Sequence, residues 1–254
     1  MIRYIRIAIL LTILVIVAGS QFLTGSRFSS WEKPLWVTIY PVLLDADPGV
    51  RRYVDGLSTE SFRDIDGFLK RQASRHGRQL ESPVVIQVAK PIKEIPPVLP
   101  VEDSGLKVAW WSLKMRWWSW RQSGQDGLAP DDIRMFILYQ KGNPGELLER
   151  SVGIKNGSYG LVNAVASRKK AARNRIIITH ELLHILGATD KYNLSTGQPL
   201  EPEGLAYPEK QPLYPQNRAE IMGGRIAVSA MQWRHPPSLA SCVIGSVTAE
   251  EIGW

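Results

Sequence analysis

The stretch from Ile178 to Asn193, ITHELLHILGATDKYN, constrains the fold most, because it places two of the chain's four histidines four residues apart. On an α-helix, residues i and i+4 lie on one face about one turn apart, so His180 and His184 can direct both imidazoles at one metal ion. Glu181 stands next to that face, where its carboxylate can take a proton from a water molecule. The pattern therefore predicts a helix that carries two zinc ligands and a general base.

The residues after the second histidine predict a third ligand. Gly187 follows His184 by three residues and can adopt the positive φ that ends a helix and turns the chain back. Three residues further on, Asp190 then comes within reach of the same ion, which suits a zinc site with three protein ligands and a fourth position for water. Asp190 also fits an ordinary turn residue after a helix, and Glu220 and His235 are the alternative third ligands.

The string from His180 to Asp190 resembles the HExxHxxGxxH/D pattern of the metzincin zinc peptidases, and its aspartate is similar to the snapalysin-type branch. Metzincins have a methionine turn beneath the metal, and Met222 within AEIMGG stands where that turn is expected. The resemblance covers Val162 to Met222 and extends to the rest of the chain only through the order of elements. It implies one zinc ion per chain, hydrolysis of peptide bonds and a short final helix.

The chain also departs from that family. Residue 224 is glycine, so the tyrosine that some metzincins place two residues after the turn methionine is absent. Tyr192 is the nearest candidate for a phenol that assists the oxyanion. Cys242 is the only cysteine, which excludes an intrachain disulfide and a cysteine-based second zinc site.

Outside the motif, strand and helix patterns alternate along the chain, which predicts a mixed α/β (α+β) fold. The predicted strands are Leu35–Leu43, Pro83–Val88, Ile133–Tyr139 and Val162–Ala166, with an edge strand within Glu146–Asn156, and the predicted helices are Ser58–His76 and Leu106–Arg121. We expect a metzincin-like domain over residues 35–254. A mixed, twisted sheet packed on two helices, one of them the HExxH helix, would fill residues 35–187, and an irregular subdomain 188–254. Thr248, three residues before Glu251, has the spacing of a capping box for the final helix.

The N-terminal 26 residues predict a membrane segment. Ile7 to Ser26 carries no charge, and Arg3 and Arg6 precede it, which places the N-terminus in the cytoplasm and the rest of the chain across the membrane. A cleaved signal peptide is the alternative, because Ala18-Gly19-Ser20 has the small residues that signal peptidase requires. The domain is then anchored on the periplasmic or extracellular side through a tether at residues 27–34, or secreted if the segment is cleaved.

The segment VAWWSLKMRWWSWRQ, residues 108–122, carries five tryptophans among basic residues. Tryptophan beside lysine and arginine is typical of membrane interfaces, but a helix packed on a sheet also needs large side chains, and that interpretation is favoured. The net charge of +7 suits an anionic envelope surface. Nucleic acid is not expected, because no motif of recognised form accompanies the charge.

Taken together, these patterns predict an exported zinc endopeptidase that acts on proteins or peptides in the cell envelope, with Glu181 as general base. The alternative is a metal-binding or membrane-surface module that keeps the fold without catalysis.

Overall fold

The structure of the chain is a computed structural model that describes residues 28, 30–98, 105–124, 127–142, 152–154 and 158–254. The predicted anchor, residues 1–26, lies outside the described residues. Among the helices that the structure describes, none has the length and apolar character needed to cross a bilayer.

Five strands form the main sheet: β1 (Leu35–Leu43), β2 (Val84–Val88), β3 (Ile133–Gln140), β4 (Val152–Ile154) and β5 (Tyr159–Val165). The helices are α1 (Pro48–Asp55), α2 (Arg63–Arg75), α3 (Gly105–Gln122), α4 (Ala171–Leu186) and α5 (Ser246–Glu251). Four two-residue strands lie in the C-terminal part: β6 (Ala219–Glu220), β7 (Ile226–Ala227), β8 (Trp233–Arg234) and β9 (Cys242–Val243). The predicted mixed α/β class is confirmed.

The sheet has the strand order β2-β1-β3-β5-β4. The first four of these strands run parallel, and in β1 Val37 is opposite Ile86 of β2 on one side and Ile133 of β3 on the other. Strand β4 pairs antiparallel with β5 at the edge and lies alongside α4. The predicted edge strand is therefore present and lies beside the helix that carries the histidines.

Helices cover both faces of this sheet, so the prediction of a sheet packed on two helices was incomplete. Helices α2 and α4 pack with one face, where Val37, Ile39 and Ile137 belong to the larger core. Helix α3 covers the other face, where Tyr40 and Phe136 join a separate cluster. Parallel strands are apolar almost throughout because both of their faces are buried, as the sequence IRMFILYQ of β3 illustrates.

Helix α1 was not predicted, although its N-terminus has a recognisable signal. The Asp47 carboxylate accepts hydrogen bonds from the backbone N–H of Gly49 and Val50, and Pro48 occupies the first helical turn. The helix buries only Val50 and Val54, which is too short an apolar pattern to reveal helical periodicity.

The predicted tether at residues 27–34 contributes to the core. Phe28 and Trp31 are buried, and the Trp31 indole N–H donates to the Ile252 carbonyl at 2.7 Å. The Trp31 ring lies 5.2 Å from that of Trp254, between centroids. This packing joins the start of the described chain to the segment after α5.

Helix α3 buries only some of its tryptophans. Trp111 and Trp118 pack against the sheet, whereas Trp110, Trp117 and Trp120 are exposed. The favoured interpretation, in which packing explains the tryptophans, holds for the first two and not for the other three.

The C-terminal part is mostly irregular, as its prolines predict. The capping-box prediction for the final helix was wrong, because Gly245 occupies the N-cap and Thr248 lies inside α5. The Thr248 hydroxyl is buried and donates to the Glu220 carboxylate at 2.8 Å.

Candidate metal centre

Helix α4 places both histidines on one side because its other side is apolar. Ile178, Leu182 and Leu183 are buried in the core, so His180 lies on the opposite side, where it lines a cleft, and His184 lies beside it one turn further on. The helix ends at Gly187, whose φ of +118° turns the chain so that the Ala188 N–H donates to the Leu183 carbonyl at 2.9 Å. The chain then reverses, as the motif predicts.

Three possible ligand atoms meet after this turn. The two histidine Nε2 atoms lie 3.1 Å apart, and Asp190 Oδ1 lies 3.1 Å from Nε2 of His180 and 3.2 Å from Nε2 of His184. They form the only group of three or more His, Cys, Asp or Glu side chains with metal-ligand spacing in the described ranges. The residues that the motif predicts as ligands are therefore brought together.

The remaining ring nitrogens fix the orientation of both imidazoles. Nδ1 of His180 lies 3.1 Å from the Ile221 carbonyl, and Nδ1 of His184 lies 2.9 Å from the Ala188 carbonyl. A carbonyl oxygen only accepts, so each Nδ1 carries the proton and donates it. In neutral imidazoles this leaves both Nε2 lone pairs directed at the same point as the Asp190 carboxylate.

This donor set fits zinc. Three electron-rich atoms at such separations repel one another unless a proton or a cation lies between them. Tetrahedral zinc with ligands at about 2.0 Å separates neighbouring ligand atoms by about 3.3 Å, close to the observed triangle. Two imidazoles and one carboxylate also suit zinc better than calcium or magnesium, which prefer oxygen ligands.

The two imidazoles favour the ionised form of Asp190. Burial alone would raise the pKa of Asp190, but hydrogen bonds and charge interactions with the two imidazoles hold it well below its usual range. Burial alone would lower the pKa of His184, but Asp190 and the Ala188 carbonyl raise it above its ordinary value. Asp190 is therefore a carboxylate, the form that binds a metal.

Glu181 and Tyr192 line the same cleft as His180, and this cleft has a volume of about 750 Å³. Glu181 is buried, while Tyr192 is half-buried with its ring centroid 6.3 Å from that of His180. Burial, together with the charges of Asp190 and Glu181, raises the pKa of Tyr192 to about 12. Tyr192 is consequently a neutral phenol at neutral pH, able to donate a hydrogen bond.

The segment around Met222 supports the ligands through its backbone. The Ile221 carbonyl accepts from His180, and the Met222 carbonyl accepts from the N–H of Lys191 at 3.0 Å, directly after Asp190. The Met222 side chain is fully buried. This turn thus contacts both the helix and the loop that supply the three ligand atoms.

Neither alternative third ligand belongs to the group. Both Glu220 oxygens are engaged, one with Gly223 N–H at 2.7 Å and the other with Gly245 N–H at 3.1 Å and the Thr248 hydroxyl. Burial raises the pKa of Glu220. His235 lies in the cleft with its Nε2 3.5 Å from an Arg173 nitrogen, outside the triad.

The sequence did not reveal what holds the Asp190 loop. The Lys191 side chain is only 3% exposed, and its Nζ donates to Glu251 Oε1 at 2.7 Å and to the Thr189 hydroxyl at 2.6 Å. Glu251 also accepts from the N–H of Thr189 at 3.0 Å. This ion pair secures the loop to α5. Because its partners lie sixty residues apart in the sequence, no local sequence pattern predicts it.

Comparison with known proteins gives no assignment, since no protein-family model matches the chain and no curated protein matches it.

Proposed function

We propose that the chain is a zinc-dependent endopeptidase of the metzincin type, which cleaves proteins or peptides in the cell envelope. The observation that carries the proposal is the convergence of His180, His184 and Asp190 on one point, with Glu181 in the cleft that His180 also lines. A structural zinc site usually has four protein ligands, whereas three leave a position for water.

Zinc bound by these three residues would polarise the substrate carbonyl and acidify a water molecule. Glu181 takes the proton of the attacking water as its oxygen bonds to the carbonyl carbon. It then passes that proton to the amide nitrogen as the carbon–nitrogen bond breaks. Glu181 ends the cycle ionised, as it began.

Other residues position the reacting groups. The phenol of Tyr192 is protonated at neutral pH and can donate to the oxygen that becomes negative in the transition state. Asp190 brings one negative charge to the site, which reduces the positive charge available to acidify the water compared with a third histidine. The edge strand β4 beside α4 offers backbone groups with which an extended peptide can pair.

Zinc dependence of cleavage tests the proposal. The full chain, purified in detergent and loaded with zinc, should contain about one zinc per chain and cleave members of a randomised peptide library. A chelator should abolish cleavage, and added zinc should restore it.

The outcomes separate the alternatives. A folded chain that takes up no zinc overturns the metal site. A chain that holds zinc but cleaves no library member favours the non-catalytic envelope module over the peptidase.

A further inference from the structure

The cleft beside the metal centre is lined by cationic side chains as well as by Glu181. Arg173, Arg225 and His235 line it together with His180. Arg173 precedes His180 by seven residues on α4, which places it on the same face about 10 Å away along the helix axis. The cleft therefore contains a positive region displaced from the metal centre along α4.

Contacts with Trp233 and Gly197 fix the position of the Arg225 side chain. Its guanidinium carbon lies 5.7 Å from the centroid of the Trp233 ring. On another side it packs closely against the backbone of Gly197, which has no side chain and whose φ of +67° favours glycine. These contacts hold the cation at the cleft without supplying a negative charge.

The basic side chains that line the cleft also disfavour one another's charged forms. Burial and the charge of Arg225 lower the pKa of Arg173. Burial and both arginines lower the pKa of His235. In the described part of the chain, no salt bridge joins Arg173 or Arg225 to a carboxylate. Two partly buried guanidinium groups near each other suit a bound anion.

We propose that Arg173 and Arg225 bind a carboxylate of the peptide substrate. An extended peptide advances about 3.3 Å per residue, so a group at Arg173 lies roughly three residues from the bond cleaved. The carboxylate belongs either to an Asp or Glu side chain or to the free C-terminus of a short peptide. This inference rests on the proposed peptidase function.

Binding to a variant that does not turn over tests the subsite directly. Zinc-loaded Glu181→Gln full chain is mixed with fluorescent peptides in which a single Glu or Gln is scanned along one sequence, each made as C-terminal acid and amide. Anisotropy should show at least about tenfold tighter binding of the acidic member at one position, or of the acid over the amide. Arg173→Gln and Arg225→Gln should remove that difference, while the exposed Arg234→Gln should keep it.

Equal affinities of acidic and neutral peptides, or no binding of either, overturn the subsite. Acidic selectivity that depends on the arginines, in a chain whose parent cleaves nothing, retains the subsite and overturns the peptidase. Cleavage by the parent without acidic selectivity retains the peptidase and overturns the subsite.

A second, independent observation concerns the outer face of α3. Trp110, Leu113, Trp117 and Trp120 have exposed fractions of 61, 58, 57 and 67%. Their spacing of three and four residues places them in one stripe along the helix. Isolated exposed apolar residues are ordinary, but a contiguous stripe of this size marks an interaction surface.

Cations accompany this tryptophan face. Lys114 lies over the Trp110 ring at 5.5 Å, and Arg121 lies over the Trp117 ring at 5.0 Å. The helix contains four basic residues and no acidic residue in its 18 positions. Indole rings flanked by lysine and arginine match the boundary between lipid headgroups and acyl chains, where the rings sit and the cations meet phosphate.

We infer that the tryptophan face docks the domain on a bilayer surface that contains anionic lipid. The charge of the helix selects that partner over a second copy of this chain, because two copies would bring eight cations together. The predicted N-terminal membrane segment would hold the domain close to such a surface, so a modest affinity of the face suffices.

Quenching of tryptophan fluorescence tests this docking. The full chain is reconstituted in vesicles of brominated phosphatidylcholine with phosphatidylglycerol; residues 1–26 contain no tryptophan, so the signal comes from the rest of the chain. Fluorescence should be quenched relative to unbrominated vesicles, and less so without phosphatidylglycerol. The triple variant Trp110→Gln, Trp117→Gln, Trp120→Gln should lose the quenching, and the control Trp233→Phe should keep it.

Absence of quenching in the parent, or its persistence in a folded triple variant, overturns the inference. Self-association that depends on the same three tryptophans, without quenching, assigns the face to a second copy instead.

Discussion

Replacing Glu181 by glutamine should lower the rate of peptide hydrolysis by about 10²–10⁴-fold while the zinc content stays that of the parent. Glutamine has nearly the same shape but cannot accept the proton of the attacking water at neutral pH. Glu181 is buried beside His180 in the cleft and does not belong to the ligand triangle, so the metal site should survive the change. Initial rates on a cleaved library peptide, with zinc measured on the same samples, give the result.

Glu209→Gln provides the matched control, because Glu209 is exposed and does not line the cleft. Its rate should stay within about twofold of the parent. A Glu181→Gln chain that retains both zinc and the parental rate would remove Glu181 from the proton transfer.

Replacing His184 by alanine should reduce zinc from about one equivalent to less than about 0.1 equivalent per chain. The substitution removes one corner of the triangle in which Nε2 of His184 lies 3.1 Å from Nε2 of His180. Zinc at about 100 times its Kd should stabilise the folded parent by about 2.7 kcal/mol and should leave the variant unchanged. Elemental analysis and thermal unfolding with and without zinc measure both effects.

His76→Ala serves as the control for this substitution. His76 contacts the Ile244 carbonyl at 2.9 Å, away from the triangle, so its loss should leave zinc uptake intact. Stoichiometric zinc in a folded His184→Ala chain would show that the metal binds elsewhere.

Local patterns predicted the elements that bury a regular apolar face. The helical spacing between Ser58 and His76 rests on five apolar residues that are all buried: Phe62, Ile65, Phe68, Leu69 and Ala73. Strand β1 has the predicted bounds. The motif HELLHILGATD also predicted that its two histidines and its aspartate come together, because helix geometry and one glycine determine their approach. In each case the information lies within a few turns of chain.

Other features could not be predicted, because they depend on contacts between residues that lie far apart in the sequence. The Lys191–Glu251 and Glu220–Thr248 contacts join residues whose separation only the complete fold closes. For the same reason the tryptophans of α3 could not be divided into buried and exposed: Trp117 and Trp118 are neighbours in sequence, and only the packing against β3 decides which of them faces the sheet.

The Lys191–Glu251 pair has a consequence for the order in which the site matures. Both histidines are synthesised well before Glu251, whose partner Lys191 lies sixty residues earlier. A chain that leaves the ribosome or crosses a membrane N-terminus first therefore presents two imidazoles while the Asp190 loop still lacks its anchor. We therefore expect the ligand triangle to close only after α5 has docked. The proposed metal-dependent chemistry would then begin only once the C-terminal helix is synthesised and folded, after most of the chain has left the ribosome.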